Sequence, residues 1–149
     1  MDEQEYRSAY QNVNPIRCVF EKAINSRQCN CSQATRFNLA DREGVSCDSQ
    51  HAQSICSELL SQLRQKGRFA LQLALEQEQL PHNAEIKIQN GGVRGILKQI
   101  DVPQLNENDI YGVIQAALGE FKTIGEFPFS EIVREVSAYQ PRKRRQRNK

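Results

Sequence analysis

Residues 48–79 read DSQHAQSICSELLSQLRQKGRFALQLALEQEQ, and this stretch decides the fold that the sequence predicts. Its apolar side chains recur three and four residues apart, which is the spacing of one face of an α-helix. Asp48 or Ser49 is placed to cap the helix, and Leu80-Pro81 ends it. The inward positions are Ala52, Ile55, Cys56, Leu59, Leu60, Leu63, Gly67, Ala70, Leu71 and Ala74. A long central helix is therefore the clearest element of the chain.

Shorter helical patterns lie on both sides of this central helix. Pro15 opens a pattern that continues to about residue 26, and a second short helix is predicted within residues 33–43. Beyond the central helix, Asn106 or Asn108 starts a helix that continues to about residue 121, and a last short helix ends before Pro141. We expect an all-α fold: one compact domain of five or six helices. An irregular cysteine-bearing segment would separate the first helix from the central helix.

Residues 84–98 fit either a helix or a hairpin. As a helix, one face carries Ile86, Val93, Ile96, Leu97 and Ile100. As a hairpin, Ile86 and Ile88 alternate and residues 90–92 (Asn-Gly-Gly) make the turn. We prefer the helix because the apolar stripe continues past the turn residues.

The predicted domain plan has three parts. Residues 1–12 are polar and are predicted to be a flexible N-terminus. Residues 13–140 form the single helical domain. Residues 141–149 hold six of the twenty basic side chains and no acidic ones, which predicts a disordered basic tail. The remaining body has fourteen basic and eighteen acidic side chains, a net charge of −4.

All five cysteines lie within residues 18–56. The acidic N-terminus is unlike a signal peptide, and no apolar run is long enough to span a bilayer, so we expect a reducing cytoplasm. Thiols clustered in such a compartment point to a shared metal rather than to disulfides. We select Cys29, Cys31, Cys47 and Cys56 as the metal ligands, with Cys18 as the reserve.

The sequence leaves the identity of the metal open. Nine residues of helix between Cys47 and Cys56 would span roughly 13 Å, which favours an iron–sulfur cluster, preferably 4Fe-4S, over one ion. A structural zinc with four thiolates is the alternative, because the spacing matches neither a pair of Cys-x-x-Cys motifs nor the bacterial ferredoxin motif. A reactive Cys47 thiol at a helix N-terminus is a third interpretation. On a helix, His51 would project away from Cys56, so we interpret it as a surface residue. His82 is interpreted as an ordinary helix-start or loop residue.

These features predict an accessory protein more than an enzyme. With two histidines and no paired-carboxylate motif, candidates for general acid–base chemistry are few. The first hypothesis is an electron-transfer, redox-sensing or accessory component of a larger system, with a protein or redox partner. The alternative is a zinc module that contacts nucleic acid or an acidic partner through its tail. The tail residues assigned to that contact are Arg142, Lys143, Arg144, Arg145 and Arg147.

Overall fold

The computed structural model describes residues 2–73 and 80–141. Within these ranges the chain forms six helices and one two-stranded antiparallel sheet. The elements are α1 (Glu3–Val13), α2 (Glu21–Asn25), β1 (Ala34–Leu39), β2 (Arg42–Cys47), α3 (Gln50–Ala70), α4 (His82–Gln99), α5 (Ile110–Phe121) and α6 (Phe129–Ala138), with a 3₁₀ turn at Ile124–Glu126. The prediction of an all-α fold is therefore wrong, because the cysteine-bearing segment contains a β-hairpin.

The hairpin replaces the short helix that was predicted within residues 33–43. Its register pairs Ala34 with Cys47 at one end and Leu39 with Arg42 at the other. Ala40 and Asp41 connect the strands with φ angles of 50° and 67°, the conformation of a tight type I′ turn. That turn usually contains Asn or Gly, so Ala-Asp gave no hairpin signal.

Two features of the N-terminal region were not expected from the sequence. A helix, α1, lies within residues 1–12, whose flexibility stays a prediction, and the Asp2 carboxylate caps it by accepting a hydrogen bond from the Glu5 N–H at 2.7 Å. The helix predicted from Pro15 is shortened to α2. Residues 16–18 instead pair with β2: the Cys18 N–H donates to the Val45 carbonyl at 3.0 Å, and the Cys47 N–H donates to the Ile16 carbonyl at 2.8 Å.

The second half of the chain is helical, and α3, α4 and α6 pack together. The helix predicted over residues 84–98 is confirmed as part of α4. Its glycines serve close packing rather than a turn: a Cβ on Gly95 would lie 2.6 Å from the Ile132 carbonyl oxygen, and one on Gly91 would lie 2.7 Å from the Val136 Cα. The largest fully buried side chains of this core include Leu59, Leu60, Leu63, Ile88, Ile96, Ile114 and Ile132.

Helix α3 has the predicted cap but ends earlier than expected. The Ser49 hydroxyl accepts a hydrogen bond from the Ala52 N–H at 3.1 Å, and the helix stops at Ala70, just before Gln72 with its φ of 56°. The predicted continuation over residues 74–79 lies outside the described residues, as does the basic tail over 142–149. No helix in the described part of the chain combines the length and apolar character that a membrane span needs.

Candidate metal centre

Four thiols from separate parts of the chain line one small pocket, which we call the thiol pocket. Cys18 lies in the loop before α2, Cys31 before β1, Cys47 at the end of β2, and Cys56 on the second turn of α3. The pocket has a volume of about 20 Å³, enough for about one water-sized atom. This is the only place where the described structure gathers four of the five cysteines.

Backbone hydrogen bonds bring these four thiols together. The bonds of residues 16–18 to β2 place Cys18 beside Cys47. The loop around Cys31 is fixed to the start of α5, because the Asn30 N–H donates to the Asn108 carbonyl at 2.7 Å and the Ile110 N–H donates to the Asn30 carbonyl at 2.9 Å. The chain then passes directly from β2 through the Ser49 cap into α3, which carries Cys56.

The walls of the thiol pocket are mostly apolar, with Val19, Phe20, Ala34, Ala52 and Ile110 among them. Burial is the main cause that raises the pKa of Cys18 and Cys56 to about 12, and the neighbouring thiols add to it. Burial also raises the pKa of Cys31. These groups are therefore neutral thiols near pH 7, a state that makes poor nucleophiles.

Backbone N–H groups point at two of the sulfur atoms. The Gln33 N–H donates to the Cys31 sulfur at 3.5 Å, and a hydrogen bond from the Tyr111 backbone also lowers the pKa of Cys31. A hydrogen bond from the Phe20 backbone lowers the pKa of Cys18 in the same way. These donors stabilise a thiolate more than a thiol, and sulfur atoms bound to metals commonly accept such hydrogen bonds.

The fifth cysteine, Cys29, lies outside the thiol pocket. Its thiol donates to the Asn90 side-chain oxygen of α4 at 3.4 Å, and it lines a different pocket beside Arg94. Burial is the first cause that raises its pKa to about 12, followed by the nearby Cys31. Of the four cysteines selected from the sequence, the structure thus brings together Cys31, Cys47 and Cys56. The reserve residue Cys18 completes the group.

Other candidate residues lie apart from this pocket. His51 is exposed on the surface, as predicted, and His82 is the exposed first residue of α4, in line with its prediction as a helix-start or loop residue. Within residues 2–73 and 80–141, no three His, Cys, Asp or Glu side chains already form a ligand set for a metal ion. The tail residues selected for partner binding, from Arg142 onward, lie outside the described residues.

Comparison of the chain with protein-family models, with curated proteins and with solved structures found no match. The chemistry of the pocket is accordingly the basis on which its role is interpreted.

Proposed function

We propose that this protein holds a metal centre whose ligands are Cys18, Cys31, Cys47 and Cys56, with an iron–sulfur cluster as the first candidate. The observation that carries the proposal is that these four thiols face one apolar pocket. Four cysteine thiolates are the usual ligand set both for cubic iron–sulfur clusters and for structural zinc. Compared with the set selected from the sequence, Cys18 takes the place of Cys29.

A metal gives these four thiols a role that packing alone does not. A thiol is only a weak hydrogen-bond donor and acceptor, so four thiols lining the same cavity stabilise one another little. A metal ion binds the thiolate form of each cysteine and displaces the thiol protons. The positive charge of the metal then offsets the cost of burying negatively charged sulfur. The backbone N–H groups near Cys18 and Cys31 then support the charge that remains on the sulfur atoms.

The cluster is preferred because its four ligands come from four separate parts of the chain. Cys18, Cys31 and Cys47 lie on loops or at a strand end, and only Cys56 is fixed within a long helix. In a four-iron cluster each thiolate binds a different iron atom, so the ligands are spread more widely than around one ion. The N–H groups directed at sulfur are also the contacts by which a protein tunes the redox potential of a cluster.

One observation favours zinc as the second candidate. The volume of about 20 Å³ suits a single ion, whereas a cluster requires the loops to move outward. In addition, Cys47 lies beside the first turn of α3 and lines the same pocket as Cys56. The separation of roughly 13 Å expected for a continuous helix, which argued against a single ion, therefore does not apply. A zinc centre would fix the hairpin to α3 and α5 and would leave partner recognition to other surfaces, including the basic tail.

The role that fits either metal is that of a small accessory protein rather than an enzyme. Burial raises the pKa of Cys18, Cys31 and Cys56, which disfavours nucleophilic catalysis by these three thiols. With a cluster, the protein would transfer electrons or sense redox state for a larger partner in the cytoplasm. With zinc, it would bind nucleic acid or an acidic partner, and binding would be lost on deleting residues 141–149.

The deciding experiment is metal and sulfide analysis of the full chain purified without oxygen. An iron–sulfur centre gives near-equal iron and acid-labile sulfide with a broad absorption near about 400 nm. A colourless protein with one zinc ion per chain would select the second candidate. Protein with neither metal, after reconstitution with iron and sulfide or with zinc, would contradict the proposal as a whole.

A further inference from the structure

Cys18 also forms part of the wall of a second, larger pocket on the surface. Four cations and two carboxylates line it, and we call it the basic pocket: Arg17, Lys22, Arg64, Arg68, Glu21 and Glu85. Its volume is about 600 Å³, within the range of pockets that bind small molecules. Leaving Arg68 aside, the formal charge of Arg17, Lys22, Arg64, Glu21 and Glu85 is +1, although the body of the protein outside the tail has a net charge of −4.

Buried polar groups hold Arg64 in a fixed position at this pocket. The Arg64 Nε donates to both Glu85 carboxylate oxygens, at 2.9 and 3.2 Å, and Nη2 donates to one of them at 2.6 Å. Glu85 is only 5% exposed and also accepts from the Gln89 amide at 2.9 Å. Gln89 is itself 1% exposed and accepts from the Ala23 N–H at 2.9 Å. The guanidinium is thus oriented before any ligand arrives.

Glu85 engages one edge of this guanidinium and leaves donors on the other. Arginine has five N–H donors in a planar fork, and the hydrogen bonds from Arg64 to Glu85 come from Nε and Nη2. Among the described residues, Nη1 has no hydrogen-bond partner, so its donors can reach an oxygen ligand. On the same pocket, Arg17 is held between the Glu21 carboxylate, at 2.8 Å, and the face of the Tyr10 ring. Oriented guanidinium groups of this kind recognise phosphate and carboxylate.

We propose that the basic pocket binds a small molecule bearing a phosphate or carboxylate group, and that Cys18 connects this site to the metal centre. The anion would bind to Arg64, Lys22 and Arg17. A small molecule is the proposed ligand because the cations line a pocket of about 600 Å³, a volume typical of small-molecule sites. The anion site stands on its own geometry, whereas its connection to the centre rests on the proposed function.

The test is binding of inorganic phosphate and of succinate to the full chain, measured by isothermal titration at constant ionic strength. The informative variant is R64Q/E85Q, which removes the guanidinium without leaving the buried Glu85 carboxylate unpaired. The matched control is E131Q/R134Q on α6, which removes an exposed ion pair away from the pocket and also leaves the net charge unchanged. Far-UV circular dichroism checks that both variants are folded.

We expect saturable binding that R64Q/E85Q weakens at least about ten-fold and that the control leaves within about two-fold. Tighter binding of phosphate than of succinate, or the reverse, identifies whether the ligand carries a phosphate or a carboxylate group. No saturable binding, or equal loss in both variants, would overturn the anion site. Single Lys22→Gln, which leaves the Glu85 pair intact, should weaken binding several-fold, and an unchanged affinity would remove Lys22 from the site.

The connection through Cys18 has a separate readout. In iron-loaded protein, or in cobalt-substituted protein if the centre holds zinc, phosphate should change the sulfur-to-metal absorption, and this change should saturate with the same dissociation constant as the titration. An unchanged spectrum at saturating phosphate would overturn the connection while the anion site stands. If the protein binds no metal, the proposed function fails, and the titration still decides the anion site.

Discussion

The helical half of this protein and its thiol pocket are held together in different ways. Where α4 meets α6, the backbones touch at Gly91 and Gly95, and the side chains around them are almost fully buried. At the thiol pocket, two loops, a strand end and one helix meet around a cavity, and single backbone hydrogen bonds fix the loops. The first region is stabilised by close packing of apolar groups. The second gathers four thiols that interact only weakly with one another, and we propose that a bound metal completes it.

From this comparison we expect substitutions in the thiol pocket to act mainly on metal binding, and substitutions in the helical half to act mainly on stability. The largest effect is expected at the four pocket thiols. Single Cys→Ser changes at Cys18, Cys31, Cys47 or Cys56 should lower metal affinity more than about 100-fold, because each would remove one of the proposed ligands. Metal content per folded chain is the measurement.

Cys29→Ser is the matched control for those four changes. The Cys29 thiol bonds to Asn90 and faces a different pocket, so we expect its removal to leave the metal content unchanged. Loss of metal in Cys29→Ser with retention in Cys18→Ser would restore the ligand set selected from the sequence and would contradict the one proposed from the structure.

The second prediction is that the free energy of unfolding depends on pH differently in the metal-free protein and in the metal-loaded protein. Cys18, Cys29 and Cys56 have pKa values of about 12 when folded, above the usual thiol range. Their stabilising contribution is complete below about pH 9 and is lost as pH rises toward 12, because the unfolded thiols ionise first. The free energy of unfolding of the metal-free protein should fall by about 1.4 kcal/mol per pH unit for each such thiol.

Below pH 9, where these thiols leave the stability of the metal-free protein level, the stability of the loaded protein should depend on pH. Its ligands are thiolates, so protons compete with the metal, and stability should increase as pH rises from 6 to 9. Denaturant unfolding of both forms across pH 6–11 provides the comparison. Identical profiles for the two forms would mean that the buried thiols are not the metal ligands.

The third prediction addresses the helical half. Gly95→Ala should destabilise the protein by about 2 kcal/mol, because the new Cβ would lie 2.6 Å from the Ile132 carbonyl oxygen, a backbone atom that cannot easily move. Gly119→Ala on α5 is the matched control: its Cβ would meet nothing within 4 Å, and the change should stabilise by about 0.5–1 kcal/mol. Chemical denaturation measures both. Equal effects would show that α4 and α6 are less closely packed than described.

The same two regions differ in how well the sequence predicts them. The helices α3, α4 and α5 follow from apolar spacing and caps, and that spacing is a local property of the chain. The hairpin was missed because Phe37, Leu39 and Ala40 mimic helical spacing and the turn is made by Ala40-Asp41. Phe37 also covers Gly44 across the hairpin, and this contact has no signature in the sequence.

For the site, the residue type was predictable but the grouping was not. All five cysteines lie within residues 18–56, so the sequence alone indicates a thiol site. The choice between Cys18 and Cys29 depends on long-range hydrogen bonds, from Cys18 to Val45 and from Cys29 to Asn90. Neither bond can be inferred from spacing along the chain. The basic pocket was also missed, because Arg64 and Glu85 lie on different helices.

The smallest predicted effect lies at Ser49, where the thiol pocket joins the helical half. Ser49→Ala should cost about 1 kcal/mol, because the Ala52 N–H loses the hydroxyl that caps α3. The Cys47 thiol donates to the Ser49 carbonyl at 3.1 Å, so loosening of the cap should also increase the rate of metal loss to a chelator. Ser54→Ala is the control within the same helix, since its exposed hydroxyl bonds only to the Gln50 carbonyl, and we expect less than about 0.5 kcal/mol. If Ser49→Ala is destabilised but loses its metal no faster than the Ser54→Ala control, the cap of α3 stabilises the fold without affecting metal binding.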